Sequence, residues 1–476
     1  MATISSPVYD PKDTAEKLAN LYVLGASNIN TTQKNKATAV QSGLTKLGSA
    51  LSDFQSALTK IATATSSVTA NSATVSGTGV GTATAGSKAV AGTYSFYVEQ
   101  LATAGQVSYD VNNSTAAGAG SMNVMLADGN SFQVNLANAD SNGDGQLSAK
   151  EIAAAINVTA ANNSRVTAST MTVNGQSKLV LTSANTGAGN GVASLDVSGL
   201  GSGTLQADLS APTTLAAAKD AIVWVGGTSG TKVQQASNTF SVIDDVKFTA
   251  TAAQASGAAP VTVTVASDSS GTATNVQNFV TAYNTLLGVI GDLTKAGDHS
   301  VVEPDPSDPT ASPTPSSADA AFYNDAGVKG LRDRLGAALR AVTGGVSLIS
   351  FGITATKDGS LELDTARLNK TIANNPGKID ALFGRAGVGV DSGALGAMNK
   401  VVSSWTSGAT GVLSGRKEQN TRLISDLDDR KLVITSQFNN AYKRYLAQFT
   451  ALQQLQASMT STSNMFTAMF SPDSSN

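Results

Sequence analysis

Two segments near opposite ends of the chain carry apolar residues at alternating spacings of three and four positions. A mean spacing of 3.5 residues keeps one apolar stripe of a helix facing a partner helix, which is the pattern of a coiled-coil seam. Neither stripe is stable alone in water, so the simplest partner is the other stripe, packed antiparallel in the same chain. The predicted seam residues are Leu44, Leu47, Leu51, Phe54 and Leu58 in the first segment and Ile434, Phe438, Tyr445 and Leu452 in the second.

Polar residues interrupt the second seam at Lys431, Gln448 and Thr462. Either they loosen the packing, so that the stalk can detach and dock again during assembly, or they are solvated edge positions that only set register. The first 39 residues have only a weak apolar stripe. We expect this arm, and the tail from residue 456 onwards, to be mobile in a free subunit and ordered on assembly. The stripe of the arm consists of Leu18, Leu21 and Leu24.

Between the helical ends, the period of the apolar residues changes to two. Residues 93–98 and 261–265 alternate as β-strands do. The dipeptides Asp128-Gly129 and Asn174-Gly175 each separate two such runs, which predicts β-hairpins. A short Ala-rich helix is expected at residues 150–157 between the hairpins. The glycine-rich run at 77–86 is interpreted as a linker, since no Lys-Ser/Thr ending follows it.

Helical periodicity returns at residues 275–293, and a proline-rich loop follows at 304–315. A helix at 328–342, a hairpin around Asp358-Gly359 and a helix at 365–373 come next. The predicted fold class is therefore α+β and multidomain, with an antiparallel helical stalk built from both termini and nested β-rich head domains inserted between them. The predicted parts are terminal arms (1–39 and 456–476), a stalk with a small hairpin (40–70 and 272–455), an inner head (71–106 and 216–271) and an outer head (107–215).

Composition excludes several classes of function. The 476 residues are too many for one core, and a net charge of -3 gives no electrostatic reason to bind nucleic acid. The chain has no Cys and one His, His299 in a polar loop, so disulfides, zinc sites and His-based catalysis are not expected. No apolar run is long enough for membrane insertion, and the N-terminus does not have the form of a Sec-type signal peptide. We therefore predict that the protein is not an enzyme.

One segment carries the complete pattern of an EF-hand calcium loop. Carboxylate and amide oxygens stand at positions one, three and five, Gly145 stands at the sharp turn, and a short helix follows the loop. The alternative is a turn followed by a Ser148-x-x-Glu151 capping box, which needs no metal, and the preceding element is a predicted strand. Calcium would be structural here. The candidate ligands are Asp140, Asn142, Asp144, Gln146 and Glu151.

The order of several short motifs resembles one family. The opening Met-Ala-Thr-Ile-Ser-Ser, the strand that ends in Gln100-Leu101-Ala102, and the helix segment Ala282-Tyr283-Asn284 are similar to motifs of the flagellar filament capping proteins, also called hook-associated protein 2 or the FliD family. The family segment that usually follows the opening is absent, so contacts of the extreme N-terminus are not carried over. Further similar segments are Phe351-Gly352-Ile353, residues 358–364, Leu382-Phe383-Gly384 and residues 448–452.

The resemblance implies a cap at the distal tip of the extracellular bacterial flagellum. It implies a homo-oligomeric ring of five subunits that retains exported flagellin and promotes its insertion into the filament. Other implied partners are the hook–filament junction proteins and an export chaperone that binds the C-terminal tail. Export would use the flagellar type III system, which needs no cleaved signal peptide.

Two other functions stay open on the sequence. Another axial protein of the flagellum, such as a hook–filament junction protein, would also pair helical ends around a β middle. A surface adhesin would suit a β-rich, Ser- and Thr-rich head that binds calcium. The segments at 279–284 and 448–452 favour the cap.

Overall fold

The computed structural model describes residues 10–115, 119–201, 203–296, 320–340, 346–375 and 377–469. The proline-rich loop and His299 lie outside these residues. The chain divides into two compact units. We call them the helical unit (Met1–Val68 and Ala273–Asn476) and the β unit (Thr69–Thr272).

Helices dominate both ends of the chain. In chain order the described helices are α1 (Pro11–Ile61), α2 (Ala149–Val158), α3 (Thr204–Leu209), α4 (Ser269–Thr294), α5 (Ala326–Leu339), α6 (Thr365–Asn374), α7 (Lys378–Phe383), α8 (Gly393–Thr406) and α9 (Val412–Met469). None of the helices in the described part of the chain combines the length and apolar character needed to cross a membrane.

Strands fill the middle of the chain, and one short hairpin lies in the helical unit. The described strands are β1 (Ala70–Val75), β2 (Gly81–Ala85), β3 (Gly92–Gln100), β4 (Gln106–Asp110), β5 (Ser114–Thr115), β6 (Ser121–Leu126), β7 (Ser131–Asn135), β8 (Gln146–Leu147), β9 (Val166–Val173), β10 (Gln176–Ser183), β11 (Val192–Asp196), β12 (Thr213–Ala216), β13 (Ala221–Val225), β14 (Thr231–Gln235), β15 (Thr239–Ile243), β16 (Val246–Ala250), β17 (Val261–Asp268), β18 (Ile353–Ala355) and β19 (Leu361–Leu363).

Helix α1 begins where the sequence supplies a cap. The side chain of Asp10 accepts a hydrogen bond from the Lys12 N–H at 2.8 Å, and Pro11 occupies the first helical position, where its missing N–H costs nothing. The helix continues without a break for 51 residues, until Ala62 turns extended. The arm and the first predicted seam are thus parts of one helix.

The first predicted seam lies in the core of the helical unit. Its five residues are each at most 2% exposed. They belong to one apolar cluster with residues of α4, α5, α7 and α8, including Phe279 and Trp405. The expectation that this seam packs mainly on the second seam is therefore wrong, because shorter helices surround it.

Helix α9 pairs instead with the arm half of α1. The Asn420 side chain donates to the Ala37 carbonyl at 2.8 Å, and Lys34 forms an ion pair with Asp428. The contact farther along α9, at Asp428, is made by the earlier residue of α1, Lys34, so the two helices run antiparallel. The predicted antiparallel pairing of the helical ends is confirmed, with a partner segment that the apolar stripes did not indicate.

The buried face of α9 has a seven-residue repeat. Its buried positions are Leu413, Asn420, Leu427, Ile434 and Ala441. Of the other predicted seam residues, Phe438 and Tyr445 are half-buried, and Leu452 is 41% exposed. Lys431 and Gln448 are exposed, which supports the edge-position alternative. The polar residues inside the seam are Asn30 and Asn420, which are 3% and 7% exposed.

Asn30 provides a test of this seam. Its Oδ1 atom is buried and has no hydrogen-bond partner among the described residues. An unsatisfied buried acceptor costs about 1–3 kcal/mol, so Asn30→Leu is expected to raise the free energy of unfolding of the helical unit by about 1 kcal/mol. Urea unfolding followed by circular dichroism measures this change. Asn28→Leu, at an exposed position of the same helix, is the control and should leave stability unchanged.

The β unit contains two apolar cores. One lies beneath the five-stranded sheet β1-β17-β3-β13-β14 and the sheet β15-β16-β2. The other is formed by β12-β4-β10-β9, β11-β6-β7 and helix α2. The predicted hairpins are present at β6-β7 and β9-β10. Asn174 and Gly175 both adopt positive φ, 51° and 79°, as a two-residue type I′ turn requires.

The glycine-rich run at 77–86 is only partly a linker. Residues 81–85 form β2, which pairs antiparallel with β16. Gly81 lies so close to β16 that an added Cβ would come within 2.6 Å of the Phe248 ring. Glycine is needed there for close strand approach, which composition alone does not distinguish from flexibility.

Candidate functional site

The loop with the calcium pattern connects a strand to a helix. Strand β7 ends at Asn135, and α2 begins at Ala149 after the short β8. The predicted incoming strand and outgoing helix are both present. Ser148 caps the helix, because its hydroxyl accepts the Glu151 N–H, and the Glu151 carboxylate in turn accepts the Ser148 N–H.

Asp140, at position one, folds the loop around its carboxylate. Its two oxygens accept the N–H groups of Gly143 and Gly145 at 2.8 and 2.9 Å. Both glycines have positive φ, 72° and 75°. The loop therefore turns twice within three residues, and its backbone N–H groups point toward a carboxylate.

The next two candidate ligands make the same kind of local contact. The Asn142 side-chain oxygen accepts the Asp144 N–H at 2.8 Å, and an Asp144 carboxylate oxygen accepts the Gln146 N–H at 2.8 Å. The Asn142 amide also donates to Asp144 at 3.0 Å. Asn142, Asp144 and Gln146 are all exposed, so water or an ion can reach their oxygens.

Glu151 closes the loop from its far end. One carboxylate oxygen accepts the Ser141 N–H at 2.9 Å and the Ser141 hydroxyl at 3.1 Å, and the other accepts the N–H and hydroxyl of Ser148 at 3.0 and 2.8 Å. The side chain is buried, with 5% exposure. Hydrogen bonds from Ser148 first, and from Ser141, lower the pKa of Glu151 to about 2. Glu151 is therefore a charged, structural residue in the fold as it stands.

The donor set is chemically suited to Ca²⁺, since every candidate ligand atom is oxygen. Asp140, Asn142, Asp144 and Glu151 would hold the ion with side-chain oxygens, and Gln146 with its carbonyl. Among the described residues, no three Asp, Glu or His side chains already converge as a metal-binding group. The oxygens accept N–H groups of the loop instead, so binding would require them to exchange those partners for the ion.

The start of α9 is fixed by a second polar contact. Arg416 forms two hydrogen bonds with Asp325, at 2.8 and 3.1 Å, and its guanidinium lies over the Trp405 ring at 5.4 Å. Burial alone raises the pKa of Asp325, but the hydrogen bonds of Arg416 and the Val328 N–H lower it below its ordinary value. This contact joins α9 to the N-terminus of α5 and to α8, and no motif in the sequence predicts it.

Some residues of the helical ends were missed by sequence reasoning. Asn420 lies seven residues from both Leu413 and Leu427. The sequence spacing of these residues could therefore have predicted the buried face of α9 as a seven-residue repeat. The face of α1 that packs on α9 uses small residues such as Ala15 and Ala19, which an apolar stripe of large residues does not reveal.

Known proteins match both the sequence and this architecture. Family models described as flagellar hook-associated protein 2 N-terminus and C-terminus match residues 9–105 and 218–461. The lateral flagellar hook-associated protein 2 of Vibrio parahaemolyticus is 29% identical over 402 residues, which cover 83% of this chain and 85% of that protein. The B-type flagellar hook-associated protein 2 of Pseudomonas aeruginosa is 29% identical over 473 residues, covering 95% and 93%.

A solved structure shares the fold. The D1-D2-D3 domains of the flagellar cap protein from Escherichia coli match with a TM-score of 0.54 and 23% identity, covering 80% of this chain and 99% of that chain. The C-terminal family model alone spans more than half of the 476 residues. The chain belongs to the flagellar hook-associated protein 2 family.

Proposed function

We propose that this chain forms the cap at the distal end of a flagellar filament. The observation that carries the proposal is the match of both family models to the two helical ends and the inner β strands. The solved neighbour with the same fold is a flagellar cap protein. The chain would act without catalysis, as a scaffold that retains flagellin and promotes its insertion.

The finer parts of the proposal follow from the same role. Several copies, five by family resemblance, form a ring at the filament end and contact flagellin and, before the filament grows, the hook–filament junction proteins. An export chaperone binds the C-terminal tail, and the flagellar type III system exports the chain. The long pair of α1 and α9 is suited to the leg of such a ring, because helix pairs can slide or separate without unfolding a core.

Immunogold electron microscopy of native flagella tests the proposal. An antibody to residues 107–215 should label distal tips only. Label at the hook junction would assign the chain to another axial role. Label on cell surfaces without flagella would favour the adhesin alternative.

We further propose that the loop of residues 140–151 binds Ca²⁺ as a structural ion. The complete set of oxygen donors at EF-hand spacing supports this proposal. The ion would draw together the ligands Asp140, Asn142 and Asp144 and would shield the two carboxylates from one another. It would stabilise the outer core around α2 in calcium-containing surroundings.

Calcium is therefore expected to raise the melting temperature of the β unit. Extracellular calcium modules bind with dissociation constants of about 10⁻⁴–10⁻³ M, so 10 mM Ca²⁺ should stabilise by about 1.4–2.7 kcal/mol. Differential scanning calorimetry with Ca²⁺, Mg²⁺ or chelator measures the shift. Asp144→Ala should abolish the shift, whereas Asp208→Ala, in the same unit but outside the loop, should keep it. No calcium-dependent shift and no binding heat would contradict the proposal.

A further inference from the structure

Two helical stretches of the helical unit contain no charged residue and expose large apolar side chains, whereas a third uncharged stretch, residues 273–291 of α4, packs most of its large apolar side chains in the core. Residues 18–33 lie between Lys17 and Lys34, and residues 445–469 follow Arg444. In the chain as a whole, 14% of residues are charged. Solvent-facing helices normally carry charges on their outer faces, so a long stretch without them indicates a face that a partner covers.

The first stretch has apolar residues on two faces. Ala19 and Val23 face α9 and are buried. The larger side chains face outward: Leu21, Leu24 and Ile29 are 66%, 49% and 53% exposed. Of the weak apolar stripe predicted in the arm, Leu21 and Leu24 thus lie on the outer face of α1, and Leu18 is half-buried. We call the surface formed by Leu21, Leu24 and Ile29 the α1 outer face.

The second stretch continues beyond α1. The Arg444 guanidinium lies over the Tyr22 ring at 5.8 Å, and Pro11 is eleven residues before Tyr22, so the antiparallel pairing reaches about residue 455. Among the described residues, no element packs on α9 past that point. Its exposed apolar side chains are Leu455 (57%), Met459 (64%), Met465 (64%), Phe466 (58%) and Met469 (72%).

The two uncharged faces cannot meet within one chain. In the antiparallel register Leu24 lies opposite about residue 442, so Met459 is about 17 residues, or about 26 Å, farther along α9. Both helices are continuous in this region. Contact between the two faces therefore requires two copies of the chain.

We propose that the end of α9 in one copy, residues 456–469, packs on the α1 outer face of the next copy. Each copy offers one face of each kind, so the contact is heterologous and propagates from subunit to subunit until a ring closes. No charge is desolvated by this contact, which favours association because buried unpaired charges are costly. The inference rests on the proposed ring and identifies which surfaces join its subunits.

Cysteine cross-linking of the full chain tests the contact, because the native sequence has no Cys. The double variant Leu24→Cys with Met459→Cys should form a ladder of dimers, trimers and larger covalent species on mild oxidation. A disulfide within one chain cannot account for a product, since it needs Cα atoms within about 7 Å. Mixing the two single variants should give mainly the mixed dimer, as a heterologous contact requires.

The control pair is Lys36→Cys with Met459→Cys, since Lys36 is exposed on the same helix beyond the uncharged stretch. A ladder equally strong in the control, or no ladder in the test pair, would overturn the contact. Sedimentation of the same samples shows whether rings form. If rings form without the cross-link, only the proposed interface is wrong. The cap function is tested independently by the immunogold labelling of filament tips.

A substitution on the α1 outer face gives a second readout. Leu24→Lys is expected to weaken self-association at least tenfold in sedimentation, with an unchanged melting temperature because the side chain is exposed in the single subunit. Ser56→Lys, at an exposed site elsewhere on α1, should leave association unchanged. If a benzophenone attached at Leu24→Cys on capped filaments labels flagellin instead of a second copy, the face belongs to flagellin and the proposal is wrong.

Discussion

Replacing Phe279 with Ala is expected to destabilise the helical unit by about 3–5 kcal/mol, which is a large share of the stability of a typical domain. Phe279 is fully buried. Its ring meets Phe383 edge-on with centroids 5.4 Å apart and lies 6.4 Å from the Tyr283 ring. Truncation would leave a cavity beside the Tyr283 ring of α4 and the Phe383 ring of α7 that the packed helices cannot close.

Urea unfolding with separate probes for the two units measures this effect. Trp405 reports on the helical unit, and Trp224 reports on the β unit. The transition of the helical unit should shift to lower urea concentration. The transition of the β unit should not shift, because neither of its two cores contains Phe279 or the residues packed on it. Phe466→Ala is the control, since Phe466 is 58% exposed and its loss should change the stability of the single subunit by less than about 0.5 kcal/mol. A loss below 1 kcal/mol for Phe279→Ala would contradict the described packing.

Local sequence rules predicted elements whose structure depends on a few neighbouring residues. Asn174-Gly175 turns the chain as expected, because few other dipeptides accept two positive φ angles, and at the other hairpin Gly129 supplies a positive φ of 86° after Asp128. The capping box at Ser148 and the helix after it were also readable from four residues. In each case the physical cause lies within one turn of the chain.

Which surfaces meet could not be predicted in the same way. Both the stripe at 44–58 and the stripe at 18–24 have helical spacing, yet the first lies in a multihelix core, whereas Leu21 and Leu24 of the second are exposed. The face of α1 that pairs with α9 is rich in Ala, whose small side chain lets two helices approach but adds little to an apolar pattern. Helix α7 was missed because it has only six residues and lies between Gly377 and Gly384. Which helix faces pack together depends on tertiary contacts, and the spacing of apolar residues along the sequence does not specify those contacts.

The loop of residues 140–151 was predicted in part, since some of its contacts are local in sequence and others are not. Its ligand spacing and its turns follow from the sequence. The partners of Glu151 do not, because the pattern assigns that carboxylate to an ion, whereas in the structure its oxygens accept hydrogen bonds from Ser141, Asn142 and Ser148. The same carboxylate can hold the loop closed without an ion and could ligate one when it is present, so the two interpretations of the motif are not exclusive.

Glu151→Gln is accordingly expected to destabilise the β unit by about 2–3 kcal/mol at pH 7 in the presence of chelator. An amide has one acceptor oxygen, so its NH₂ group would face either the Ser141 or the Ser148 N–H and leave that donor unsatisfied. Asp144→Asn, in the same loop but exposed, is the control and should cost much less.

The pH dependence separates a charge effect from a packing effect. The pKa of Glu151 is about 2 in the folded chain and about 4.5 in its ordinary range, so its ionised form is stabilised by folding. That contribution is fully present above about pH 4.5 and is lost as the pH falls toward 2. The stability difference between the native chain and Glu151→Gln, measured by urea unfolding, should therefore narrow over this interval. A difference that stays constant down to pH 2 would mean that the carboxylate contributes shape alone and that its charge does not hold the loop closed.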